Sequence, residues 1–194
     1  MSNEYSASGN NIDISDLLSL VNTAQYDNLE GAWLKAIESN NKDIQALFKV
    51  VDLLVKREEK KRAHDFLAML VPHYKQKGLY QDVLTVLKRT LEYNPKEKGL
   101  AKEIAECYSN LFGNRAYTSA LIERTGINGD VDIRDAVKKL ETYFCLDSGD
   151  YVYHKSWGVG QVFAIDPDGE KVIIHFEKKS NHSIAMDIVA SILQ

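Results

Sequence analysis

Residues 149–176, Gly149-Asp-Tyr-Val-Tyr-His-Lys-Ser-Trp-Gly-Val-Gly-Gln-Val-Phe-Ala-Ile-Asp-Pro-Asp-Gly-Glu-Lys-Val-Ile-Ile-His-Phe176, read as three short strands separated by two turns. Tyr151 to His154 is an aromatic and β-branched run of the kind enriched in strands. Gly158 and Gly160 flank Val159 where the chain must bend, and glycine enters left-handed φ without a Cβ penalty. A second strand is expected from Gln161 to about Ile165. Pro167-Asp-Gly169 then turns the chain, proline pre-setting φ and glycine taking the positive-φ position. The return strand, Lys171 to Phe176, alternates Val172, Ile174 and Phe176 toward one face. The pattern predicts a small β-barrel over residues 147–194.

The residues before it carry the period of helices. Residues 1–11 are rich in Ser, Asn and Gly, with too little apolar content to offset the entropy of ordering, and are expected to form a disordered tail. A helical, repeat-like domain is expected over residues 12–146. Leu17, Leu18, Leu20 and Val21 recur at helical spacing behind Asp13 and Ser15, either of which can cap the first helix. A second helix, from about Asn28 to Glu38, is expected to bury Trp33, Leu34 and Ile37. Asp43 opens a third, with Ile44, Leu47, Phe48, Val51, Leu54 and Val55 in one amphipathic stripe. The mixed-sign run Lys56 to Arg62 reads as a solvated turn and helix start. Between Phe66 and Pro95, the residues Leu67, Leu70, Tyr74, Gly78, Tyr80, Leu87 and Tyr93 fall near the large, turning and terminating positions of a tetratricopeptide repeat. Val83 and Thr90 stand where that repeat usually has alanine, so the reading is a degenerate, TPR-like helical-hairpin solenoid. Further helices are expected at about 96–111, 114–125 and 133–144. The fold class is α+β, mainly α.

Composition narrows the function. A hydrophobic fraction of 44% over 194 residues suits a globular protein of two modest domains. No apolar run approaches the roughly 20 residues that cross a bilayer, and the polar start lacks the pattern of a secretory signal, so the chain is expected in the cytoplasm. A net charge of −4 counts against direct nucleic-acid binding, and Gly149–Gln194 leans the same way, with four lysines against six acids. Cys107 and Cys145 are read as reduced, buried residues. Five histidines are present, but His64 and His73 lack a metal signature, and His154, His175 and His182 have no supporting carboxylate pattern. With no nucleophile elbow, P-loop or dinucleotide fingerprint, the chain is not expected to be an enzyme, and no catalytic residue, metal, cofactor or small-molecule substrate is assigned. Tyr151, Tyr153, Trp157 and Phe163 have the composition of a cage for methylated lysine, but strand alternation scatters them, and core packing is the simpler reading.

The order Val152, His154, Gly158, Gly160, Val162, Val172, Ile174 and Phe176 resembles the Tudor-like, SH3-like modules of CarD, of the transcription-repair coupling factor and of UvrD/PcrA helicases. A repeat-like helical region followed by such a barrel is similar to the N-terminal region of long bacterial Gre-type (GreA) transcription elongation factors. The acidic-tipped coiled coil and C-terminal globular domain of those factors are not found here, so the resemblance does not bring transcript cleavage. The apolar segment Ile188 to Leu193 at the very end suggests a piece of a longer protein. The resemblance implies a protein-binding role: docking RNA polymerase, at its β subunit, through an exposed strand edge. It points to Tyr153, His154, Lys155, Trp157 and Gln161 as contacts. Trp157, an amphipathic aromatic at a turn, is either the interface anchor or a lid over the barrel end. The alternative function is a general TPR-like adaptor that binds a partner peptide in its helical groove.

Overall fold

The computed structural model describes residues 13–39 and 43–192; the tail expected over residues 1–11 lies outside them. The chain divides into two compact units, Met1–Asn94 and Pro95–Gln194. The expected border between residues 146 and 147 falls inside the second.

The first unit contains α1 (Ile14–Asn22), α2 (Tyr26–Glu38), α3 (Ile44–Lys56), α4 (Lys60–Gln76) and α5 (Tyr80–Tyr93). Their apolar stripes enclose Leu17, Leu29, Trp33, Leu47, Leu54, Phe66 and Leu70, with the Trp33 and Phe66 rings stacked 4.6 Å apart. Leu34, expected among them, is instead 47% exposed. One step along a helix turns a side chain by about 100°, and Trp33 takes the inward direction.

The connections after α1, α3 and α4 share one geometry. Each helix ends on a left-handed residue: Ala24 (φ 55°), Glu58 (φ 66°) or Gly78 (φ 68°). The next N–H then reaches back into the last turn: Gln25 to Leu20 O and Glu59 to Leu54 O at 2.9 Å, Leu79 to Tyr74 O at 3.0 Å. These are Schellman caps, which satisfy carbonyls that the helix end would otherwise leave without donors. Arginine clamps tie alternate helices. Arg62 of α4 pairs with Glu30 and lies 4.7 Å over the Tyr26 ring of α2, while Arg89 of α5 pairs with Asp52 and lies 5.7 Å from the Phe48 ring of α3.

The second unit contains α6 (Leu100–Phe112), α7 (Thr118–Arg124) and α8 (Ile133–Tyr143), then β1 (Tyr151–His154), β2 (Gly158–Asp166), β3 (Lys171–Phe176) and β4 (Lys179–Ala185), and α9 (Met186–Ile192). The strands form an antiparallel meander in the order β1-β2-β3-β4, a four-stranded sheet in place of the three strands expected. Val152, Val162, Val172, Ile174, Phe176 and Ile184 line its inner face, joined in burial by Met186 and Val189 of α9. Residues 147–150 are no loose tether. Arg115 Nε pairs with Asp147 Oδ2 at 2.9 Å, Arg115 also donates to Leu146 O at 3.1 Å, and the Tyr117 hydroxyl donates to Asp147. Burial and that bond push the Tyr117 hydroxyl up to about 12. Arg124 donates to Asp168 O at 3.3 Å, so the helices hold the chain just before β1 and just after β2, at the end of the hairpin opposite its turn.

Two glycine expectations change. Gly158 does take left-handed φ (77°), but Gly160 has no such need. It pairs with Phe176, and a Cβ there would collide with the Phe176 ring, 2.8 Å from its Cε1, and lie 2.9 Å from Ile174 Cγ2. In the Pro167 turn the left-handed residue is Glu170 (φ 49°), not Gly169. At Gly169 the Asp166 carboxylate folds over the backbone, Oδ1 accepting the Gly169 N–H at 3.0 Å and Oδ2 occupying the place of a Cβ, so a larger residue there would displace this side chain.

Candidate functional site

Alternation along the strands sends the core set inward and leaves a second set outward. The outward set is unusually aromatic. Tyr151 is 74% exposed, Tyr153 47%, Val159 49% and Phe163 62%. Tyr151 stands opposite Gln161, and Tyr153 opposite Val159, so the first hairpin presents them as one surface. The register shift between Val162 and Ala164 marks a bulge that leaves Phe163 unpaired in the β2–β3 ladder. Its ring stacks on His175 at 4.5 Å with 9° between planes. The His175 Nε2–H in turn donates to Asn181 Oδ1 at 2.6 Å. Gln161 is anchored from the other side, its Nε2 donating to Gly149 O at 3.1 Å.

This surface adjoins an open edge. Val162 N–H donates to Asp150 O at 2.9 Å. Antiparallel pairs alternate between bonded and non-bonded types, so Val152–Gly160 and His154–Gly158 are the bonded pairs of the first hairpin. The N–H and C=O of Tyr151 and Tyr153 therefore point off the sheet. Among the described residues nothing pairs with them. The opposite edge, β4, is broken by a left-handed Asn181 (φ 52°) and a register shift, which disfavours further pairing. β1 has neither device.

The five sequence-expected contacts divide between the two faces. Tyr153 and Gln161 share the outer one, and Lys155 is exposed in the turn. His154 and Trp157 lie at the end of the inner face, their rings stacked at 3.8 Å. Trp157 also meets the edge of His182 at 4.0 Å and the Phe176 ring at 5.5 Å, with Lys179 Nζ 4.9 Å from its own ring centre. His154 Nδ1 accepts the Ser156 N–H at 3.1 Å, fixing the turn. Burial, then Lys179 and His154, hold the His182 imidazole below its ordinary 6.5. Among the described residues no three His, Cys, Asp or Glu side chains gather as a metal-ligand set, and no helix is long and apolar enough to cross a membrane.

Tyr151, Tyr153 and Phe163, for which core packing is the simpler expectation, stand on the surface instead, and Val159 beside them is a surface residue that the sequence does not single out. Their only signal is excess: one face of a small sheet needs a single apolar set, and this stretch supplies two. Cys145, expected to be buried, is exposed just past α8, while Cys107 is buried in α6.

No protein-family model matches the chain, and no solved structure matches it. Two curated proteins do. A Treponema pallidum protein named for GreA-associated domains is 20% identical over 167 residues, covering 86% of this chain and 25% of that protein. A Borreliella burgdorferi protein named transcription elongation factor GreA is 24% identical over 177 residues, covering 89% of this chain and 19% of that protein. The chain thus spans a quarter or less of the length of these relatives. Distant similarity to proteins named for GreA runs through most of its length.

Proposed function

We propose that the chain is a non-enzymatic, protein-binding region of a bacterial transcription elongation factor, working in the cytoplasm, whose C-terminal sheet is a Tudor-like, SH3-like module that docks RNA polymerase at its β subunit. The names of the two relatives support the transcriptional setting. One observation carries the docking itself: Tyr151 and Tyr153 combine exposed rings with backbone groups directed off an open edge. A partner strand added there gains main-chain hydrogen bonds at these two residues, and their rings fix its register. Immobilised full chain binding purified bacterial core polymerase tests this. Replacing Tyr151 and Tyr153 by serine should weaken binding about tenfold or more, as loss of two aromatic anchors does; unchanged binding sinks the reading.

The repeated Schellman connections and arginine clamps of the first unit favour a second reading, a TPR-like adaptor whose helical hairpins bind a partner peptide. Under that reading the full chain retains a partner other than polymerase, and Leu34→Ser and Leu79→Ser, at exposed apolar positions of that unit, weaken this retention where the tyrosine variant does not.

A further inference from the structure

We infer that the segment docking on β1 is a charge-polarised extended peptide: uncharged where it faces Tyr151 and Tyr153, acidic at the end that passes Lys155, and not acidic at the end beside Asp150. The inference rests on the docking reading above and names the chemistry of its partner.

The net negative charge of this part of the chain conceals a segregation. Gly160 pairs with Phe176, and Phe176 with Lys179, so the β1–β2 and β3–β4 turns lie at one end of the sheet. Lys155, Lys178 and Lys179 are gathered there, and Glu177 is the single acid in residues 154–160 and 176–182. Lys179 reaches over Trp157, in the same turn as Lys155, which joins the two turns into one basic, aromatic end. The other end holds Asp147, Asp150, Asp166, Asp168 and Glu170 against Lys171, with Arg115 paired to Asp147 and Arg124 to Asp168, which leaves Asp150, Asp166 and Glu170 to set its acidic field. Between them, Tyr151, Val152 and Tyr153 carry no charge.

The separation is large enough to matter. Asp150 and Lys155 flank β1 on either side, and five residues of extended chain span at most about 17 Å at the usual strand rise. Physiological salt screens charge over about 8 Å. A segment lying along β1 therefore feels an acidic field at one end and a basic field at the other, as two separate interactions. A polynucleotide fits poorly. Its charge is uniformly negative, so the Asp150 end repels it, and it has no backbone N–H groups to meet the strand edge. A peptide strand meets both conditions when its own charges are divided in the same way, and the division suppresses partners of the wrong pattern.

The test uses the full chain and four fluorescent probes at low salt: a Thr/Val strand peptide with lysines at one end and glutamates at the other, the same strand with glutamates at both ends, the same with lysines at both ends, and a single-stranded DNA of matched charge. The polarised peptide should bind about tenfold more tightly than either uniform peptide, with the preference fading as salt rises. Lys155→Glu with Lys178→Glu, both exposed, should erase its advantage over the lysine-only peptide. Equal affinity for the three peptides, no binding of the polarised one, or tighter binding of the DNA each overturns the inference. A chain that prefers the polarised peptide yet ignores polymerase sinks the polymerase reading instead, which keeps the two failures apart.

Discussion

Gly160 shows how one missing side chain positions the site. Its backbone lies against the Phe176 ring, and that contact sets the register that turns Tyr151, Tyr153 and Phe163 outward. Gly160→Ala should lower the stability of the second unit by about 1–3 kcal/mol through overpacking, read as a drop in urea midpoint. His182 makes a pH-dependent contribution whose sign follows from its environment. Burial, Lys179 and His154 lower its pKa below 6.5 in the folded protein, so the unfolded chain binds the proton more readily. Its neutral form is therefore at full advantage above pH 6.5, and stability falls as pH drops from 6.5 through the folded value. His73, lowered by burial and Lys77, acts with the same sign in the first unit. His182→Gln should accordingly flatten the pH dependence of the second unit between about pH 7.5 and 5.5 and leave that of the first intact. An unchanged slope in the second unit would show that its protons are taken up elsewhere.

At the scale of elements, the Schellman connections make a graded set. Non-glycine residues in left-handed conformation carry a steric penalty of about 1 kcal/mol, and Ala24 and Glu58 bear it where Gly78 does not. Glu58→Gly should raise the midpoint of the first unit by the equivalent of roughly 0.5–1 kcal/mol, and Gly78→Ala should lower it by about as much. The same comparison explains why only one of these turns is readable from sequence. Gly78 announces itself, whereas Ala24 and Glu58 are ordinary helix formers forced into the cap by packing on either side. The helices α1 to α8 are legible because their stripes are periodic, and β1 to β3 because they are rich in Val, Ile and aromatics, whereas the short α9 lies in residues expected to belong to the barrel. β4 is not legible either. Lys179-Ser-Asn-His-Ser-Ile-Ala185 has little strand propensity of its own, and its ladder to β3 imposes the extended form. Only Ile184 within it is fully buried.

For the whole molecule, the outer aromatic patch is hidden from sequence for a related reason. Alternation divides a strand into two sets, but which set meets the core depends on partners distant in sequence: Phe176 against Gly160, and Ile184 against Val172. The division at Asn94 and Pro95 is equally hard to see, because helical periodicity continues on both sides of Pro95. Since each unit buries its own apolar set, the two should unfold as separate cooperative blocks. The two tryptophans supply a direct measurement, because Trp33 is sealed in the first core and Trp157 is half-buried over Phe176 in the second. In a Trp157→Phe variant the fluorescence follows the first unit alone, and in a Trp33→Phe variant the second alone. Their urea midpoints should differ, with Gly160→Ala moving only the Trp157 signal and Gly78→Ala only the Trp33 signal. Superimposable transitions that shift together with either substitution would instead mean that the two cores stand or fall as one.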